Sequence, residues 1–525
     1  MTLTRYNATA ATLTKNRTGG DWCPVSGMCV TCVEGCMGMC EVGRSAYRGR
    51  EVIYPQPFGI ITTAAQKDYP VDLSHFNIMG TAVGAVGIEE DSDKAIFPNV
   101  NLDTRLGRDG GIKLRMPFVI PGLGSTNVAK RNWDGLAIGS ALTGTVLTIG
   151  ENVCGMDVDS IIKNGRVIKS PDMENRVRLF KDWQRDGYGT IVVQANVEDT
   201  RLGVLEYAID KLGIDVVEMK WGQGAKDIGG EVKIKDLEKA QLLKKRGYLL
   251  VPDPLDPATV EEFKAGVFSE FERHSRVGMV TEESFMERVE QLRKAGAKYI
   301  SLKTGAYRPA DLARAVKFCS KAKVDYLTVD AAGGGTGMSP WRMMNEWGVP
   351  GIEIWSLLHS YCQRLDKKGE YVPDVILAGG FALEDQIFKG MALASPYVKA
   401  IGMARSPLAA VMVGKTLGNN IESGQLPIHL ERLGKTREDI FVTADMLKRE
   451  YGQDYERIPT AAIALYTYYE RLAHGLRQLM NGARKFALEY ITRDDIAALT
   501  PEAARMSGIP LVSDLDGDEV DRILG

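Results

Sequence analysis

The chain predicts an α/β protein built on a (β/α)8 TIM barrel, and three observations carry that expectation. From Pro117 onward, short apolar runs alternate with longer amphipathic stretches, the pattern of repeated βα units. Eight such units fit within residues 113–418, a span typical of an eight-fold barrel. Glycine is abundant, at 56 residues, without forming a low-complexity tract, which suits many sharp strand-to-helix turns. A doubly wound open sheet is the alternative, but no early Gly-x-Gly-x-x-Gly turn favours it.

Taken in order, the strands are expected at Pro117–Pro121, Gly144–Ile149, Thr190–Ala195, Asp215–Lys220, Tyr299–Thr304, Tyr326–Asp330, Asp374–Ala378 and Val398–Met403. Helical patterns fall at 127–141, 174–187, 201–211, 284–296, 309–322, 352–366, 384–392 and 406–418. Residues 1–50 form a Cys-rich segment and 51–112 a cap or arm with turns such as Arg108-Asp109-Gly110-Gly111. An insertion, 221–298, separates the fourth and fifth strands, and loops of that length are functional lids or carry their own structure. Residues 419–525 read as a helical extension, with a helix over Ala461–Met480 and a solvated acidic end at Asp514–Asp521.

Hydrophobic content of 44%, charged content of 25% and a net charge of −3 describe a soluble globular protein. They give no reason to expect nucleic acid or an anionic membrane as partner. No basic start precedes an apolar run, and no stretch of about 18 apolar residues occurs. The expected location is the cytoplasm.

Five of the eight cysteines, Cys23, Cys29, Cys32, Cys36 and Cys40, crowd into one short segment with glycines 27, 35 and 38 between them. A reducing cytoplasm disfavours disulfides. Thiolate ligation of an iron–sulfur cluster by Cys29, Cys32, Cys36 and Cys40 fits best, with Cys23 as the alternative ligand. A 4Fe–4S centre is expected ahead of 3Fe–4S, and zinc is the competing metal, since four thiolates suit it equally.

Barrel chemistry sits just after the strands. Those positions are Gly122–Ser125, Gly150-Glu151-Asn152, Lys220–Lys226, Lys303, Asp330–Ser339, Gly379-Gly380 and Gly402-Met403. The loop Gly333-Gly334-Gly335-Thr336-Gly337 lets backbone approach a bound group closely. The turns after strands seven and eight are where barrels hold a phosphate on backbone N–H groups. A buried Lys303 needs an anionic partner, and the edge of a reduced flavin is one. Candidate cofactor contacts are therefore Gly122, Ser125, Gly150, Lys303, Gly334, Gly335, Thr336, Gly337, Gly379, Gly380, Gly402 and Met403, with Gln194 of the third expected strand added to them. A 2-hydroxyacid oxidase would want a histidine base after a strand. None of the five (His75, His274, His359, His429, His474) lies at the end of an expected strand.

The block Lys220-Trp221-Gly222-Gln223-Gly224-Ala225-Lys226-Asp227-Ile228-Gly229-Gly230, the loop Gly334-Gly335-Thr336-Gly337-Met338-Ser339-Pro340 and the pair Gly150-Glu151 together resemble the FMN-binding synthase domain of glutamate synthase, in a stand-alone archaeal or bacterial form. Ser301-Leu302-Lys303, Gly379-Gly380 and the helical tail fall in the family's order, so the resemblance covers roughly 113–490. It implies FMN at the barrel mouth with a 2-oxoacid over its ring. Lys303 would meet the isoalloxazine edge, and Gly379, Gly380 and Gly402 the phosphate. Lys220, Gln223 and Lys226 would hold 2-oxoglutarate, and Glu151 would act as general acid/base or stabilise an iminium. Lys226, Lys303, Asp330 and Glu151 are thus the candidate catalytic set. Reduced FMN would pass hydride to an imine formed from a 2-oxoacid and ammonia or a small amine. The partners implied are a separate electron donor (ferredoxin or an NAD(P)H-oxidising subunit), a separate glutaminase subunit if glutamine is the nitrogen source, and further copies of the chain.

The departures matter as much. Gly333 stands where the family has an Asp, and the acidic residue comes earlier, at Asp330. Asp227-Ile228 replace the family's residues after Gly-Ala-Lys, one residue shorter. The family's cluster cysteines follow the last barrel strand, where Met412–Leu417 contains none, so the cluster is expected in the N-terminal segment. No glutaminase module is expected ahead of the barrel, since no Cys follows Met1. Two alternatives stay open: the same cofactors acting on another carbonyl, imine or unsaturated acid, and a non-catalytic electron-transfer subunit.

Overall fold

A computed structural model describes residues 33–38, 40–49, 69–222, 231–332 and 347–525. Its centre is a closed barrel of eight parallel strands: β1 (Phe118–Leu123), β2 (Val146–Ile149), β3 (Thr190–Ala195), β4 (Val216–Lys220), β5 (Tyr299–Thr304), β6 (Tyr326–Asp330), β7 (Asp374–Ala378) and β8 (Val398–Gly402). Neighbours in sequence are neighbours in space, and β8 pairs with β1 to close the ring. Each expected strand is present within two residues at either end. Their residues are almost all buried, because the barrel interior and the surrounding helices cover both faces.

Five helices matter below: α1 (Glu41–Arg48), α2 (Trp133–Leu142), α3 (Glu384–Leu393), α4 (Arg405–Glu422) and α5 (Thr460–Gly482). The last, expected from the sequence over Ala461–Met480, packs against the other four. Small residues let it come close: a side chain at Gly414 of α4 would collide with Ala464. The helical extension is therefore part of the barrel's outer layer.

The arm does something its sequence does not announce. Thr104–Leu106 and Ile112–Leu114 form an antiparallel hairpin. Its Leu106, Ile112 and Leu114 pack on Val119, Val146, Val192 and Val216, plugging the barrel's N-terminal end. Further upstream, Phe76–Ile78 pairs with Ile496–Ala498 of the extension. The insertion carries its own three-stranded antiparallel sheet, Glu231–Ile234, Phe271–His274 and Leu249–Val251 in spatial order. Among the described residues, no helix is long and apolar enough to cross a membrane.

Candidate active site

Chain turns shape the C-terminal mouth of the barrel. β1 ends at Gly122, whose φ of 69° favours glycine, and the loop after it is bonded to the loop after β2. Gly150 N–H donates to Leu123 O, and Ser125 N–H to Glu151 O. Gly379 and Gly380 follow β7 with φ of 113° and 131°. A Cβ on Gly379 would sit 2.6 Å from Ala331 N, so the turn lies tight against the chain leaving β6. The glycine loop's two ends are pinned together by the Ala332–Pro350 bridge. Gly333, Gly334, Gly335, Thr336 and Gly337 lie outside the described residues, as do Gln223 and Lys226.

Lys220 and Lys303 occupy matching positions on β4 and β5. Lys303 is buried; its Nζ lies 3.3 Å from Asp330 Oδ2 and donates to Pro121 O. Lys220 Nζ lies 2.8 Å from Glu151 Oε1. Burial alone would raise the Glu151 carboxyl, but the Lys220 charge and hydrogen bond outweigh it, with help from Lys303, and hold it at about 2. Of the candidate catalytic set, then, Glu151, Lys303 and Asp330 converge with Lys220 at one mouth. Gly122, Ser125, Gly150, Gln194, Gly379, Gly380, Gly402 and Met403 belong to the same ends of strands.

Two residues of this mouth were not expected. Arg273 lies in the insertion strand Phe271–His274 and is 2% exposed. Its Nε and Nη1 have no hydrogen-bond partner among the described residues, and its guanidinium lies over the Tyr248 ring. Burial lowers its pKa against the opposing pull of Tyr248, Glu198, Asp199 and Glu151, which places it in electrostatic reach of the site. Period-two alternation was the available signal: Phe271, Arg273 and Ser275 share a buried face. Asp199 is the second. Its Oδ2 accepts from Asn152 N–H at 2.8 Å, fixing Asn152 in its left-handed conformation (φ 66°) directly after Glu151. Burial pushes the Asp199 carboxyl up to about 7, aided by the Glu151 charge and opposed by the Asn152 N–H.

Cys36 and Cys40 are the cluster candidates among the described residues; Cys23, Cys29 and Cys32 lie outside them. Cys36 Sγ accepts from Gly38 N–H and Cys40 Sγ from Gly43 N–H. Residues 34–38 lie on α4: Gly35 N–H donates to Thr416 Oγ1, and Glu34 pairs with Lys415. Among the described residues, no group of three or more His, Cys, Asp or Glu side chains is arranged to hold a metal. A cleft of about 520 Å³ opens at the opposite, N-terminal end of the barrel, beside Asp374 and Lys399, away from all of these groups.

Residues 272–413 match the family model described as the conserved region in glutamate synthase. That match runs from the Arg273 strand into α4 and agrees with the resemblance carried by the residue blocks above. No curated protein matches the sequence. Among solved structures the chain is similar to a mandelate oxidase variant with a monooxide FMN adduct, at 12% identity and a TM-score of 0.43 over 80% of this chain and 87% of that one. It is similar to a flavocytochrome b2 variant with sulfite bound, at 11% identity and a TM-score of 0.46 over 85% and 81%. A lactate oxidase from Pediococcus acidilactici shows 14% identity and a TM-score of 0.42 over 81% and 82%.

Proposed function

We propose that the protein is an FMN-dependent oxidoreductase of the glutamate synthase type, reducing an imine formed from a 2-oxoacid, with 2-oxoglutarate the leading candidate, and ammonia or a small amine. The observation that carries it is the pairing of Lys220 with Glu151 and of Lys303 with Asp330, with Arg273 in electrostatic reach of Glu151, at the mouth of a barrel whose residues 272–413 match the glutamate synthase region.

The residues present suit FMN. Gln194 Oε1 and Thr304 Oγ1 are buried polar atoms without partners among the described residues, Lys303 is a buried cation, and the Gly379-Gly380 turn offers backbone without side chains. FMN would supply hydride transfer; Lys303 would meet its ring and the turns after β7 and β8 its phosphate. A dicarboxylate calls for cations, and Lys220, Arg273 and, by resemblance, Lys226 and Gln223 would provide its contacts. Glu151, ionised at neutral pH, is better placed to stabilise a cationic iminium than to donate a proton. Asp199 holds the Glu151-Asn152 turn in place.

The iron–sulfur proposal rests on the cysteine spacing. It gains support from N–H donors at Cys36 and Cys40, the kind of contact that tunes cluster sulfurs, and from the docking of residues 34–38 on the helix after β8, where the resembled family carries its own cysteines. Zinc remains the competing metal. An external electron donor would reduce the cluster first.

The test is anaerobic purification followed by a visible spectrum, iron and zinc analysis, and addition of 2-oxoglutarate with ammonia or methylamine to the reduced protein. Flavin bands with iron, and reoxidation on adding both substrates, support the proposal. Bound flavin that no oxoacid–amine pair reoxidises would overturn the assigned reaction.

A further inference from the structure

Strands β3, β4 and β5 run in register so that Gln194 lies opposite Glu218, and Glu218 opposite Ser301. All three side chains are buried. Gln194 Nε2 donates to Glu218 Oε1 at 2.6 Å, and Ser301 Oγ donates to Glu218 Oε2 at 3.0 Å. Burial raises the Glu218 carboxyl, against which Lys303 and Lys220 favour the charged form.

Both Glu218 oxygens act as acceptors, one for Gln194 Nε2 and one for Ser301 Oγ, so Gln194 turns its NH2 toward the carboxyl and its carbonyl away. That carbonyl oxygen, Oε1, has no partner among the described residues. It lies against Gly122, where a Cβ would come within 2.9 Å of it, at the turn that begins the barrel mouth. Leaving a buried acceptor unpaired is costly, and here a carboxylate enforces the arrangement.

Resting on the FMN assignment above, we propose that Glu218 is a positioning residue for the flavin: through Gln194 it presents Oε1 as the acceptor for the imide N–H of the pyrimidine ring. That N–H is the one donor between two carbonyls on this edge of an oxidised flavin, so an amide carbonyl complements it and an amide NH2 does not. Ser301 completes the device by holding the far oxygen of Glu218. Glutamine at position 218 can still bond to both neighbours, but it no longer dictates which way Gln194 faces.

The test uses the full chain stripped of flavin and reloaded with FMN labelled with nitrogen-15, following the imide N–H resonance and the FMN Kd. In the native protein the imide proton should be protected from exchange and give a sharp cross-peak. Glu218→Gln and Ser301→Ala should keep flavin bound while broadening or shifting that peak, with Kd weakened by about tenfold or less, the loss of one neutral hydrogen bond. Gln194→Leu should remove the protection, and adding Glu218→Gln to it should change nothing further. If FMN binds the native protein and both the peak and Kd are unaltered in Glu218→Gln and Ser301→Ala, the positioning role is wrong. A native chain that takes up no FMN instead overturns the cofactor assignment itself. Ser301→Ala leaves the carboxylate in place, so it remains informative should Glu218→Gln not fold.

Discussion

Lys220 and Lys303 stand side by side on β4 and β5, and each ammonium has its own carboxylate, Glu151 for the first and Asp330 for the second. Two adjacent cations would repel strongly in so buried a setting, and the two acids offset that. A further anion gains a free cation here only by displacing one of those carboxylates. In the proposed reaction an arriving dicarboxylate would compete with Glu151 for Lys220, while Lys303 would keep Asp330.

Lys303→Met should loosen FMN while leaving the barrel folded. Loss of a charge-assisted contact predicts a Kd increase of about 10- to 100-fold, read by flavin fluorescence titration. An unchanged Kd together with an unchanged reduction potential would take Lys303 out of the flavin site.

Arg273→Met should act on substrate rather than cofactor. The KM for 2-oxoglutarate is expected to rise by about 10- to 100-fold, with a much smaller effect for an uncharged oxo compound and none on FMN retention. Equal effects on both substrates would mean that the guanidinium does not read a carboxylate.

Glu151 carries a pH signature. Its folded pKa, about 2, is below the ordinary glutamate value near 4.3, so the unfolded chain binds the proton more readily. The stability it contributes is full above about pH 4.3 and is lost as pH falls toward about 2. Glu151→Gln should therefore flatten the acid limb of a plot of Tm against pH. At neutral pH it should cut turnover by about 10²- to 10⁴-fold if the carboxylate takes part in chemistry.

Asp199 works in the opposite sense. Its folded pKa, about 7, exceeds the unfolded value near 3.9, so the folded state holds the proton more tightly. That stabilisation is complete below about pH 4 and fades as pH climbs to about 7. In Asp199→Asn the decline across that window should shrink, because asparagine accepts the Asn152 N–H without ionising. An identical decline in wild type and variant would assign it to other groups.

The barrel was legible because βα units advertise themselves through alternating apolar runs and glycine turns, and all eight strands fell where those runs lie. Lys303 and Glu151 were legible for the same reason, since they end strands or follow them directly. Arg273 was not. Glu270–Arg276 reads as a charged, solvated run until tertiary packing shows which face of the strand is covered. Asp199 looks like an ordinary first-turn helix acid, and only the fold brings it to Asn152. The Thr104–Leu114 hairpin is not legible in the sequence because three-residue strands are too short to show a period, and Arg108-Asp109-Gly110-Gly111 looks like a plain turn.

That hairpin has a consequence for how far the chain can be trimmed. A protein started at residue 113 would keep every barrel strand, yet it would expose the lower ends of Val119, Val146, Val192 and Val216 to water. The Phe76–Ile78 strand would leave Ile496–Ala498 as a bare sheet edge. The boundary that the sequence draws between arm and barrel is thus no place to cut: the shortened chain should precipitate or misassemble, whereas one retaining residues 69–112 keeps its own stopper.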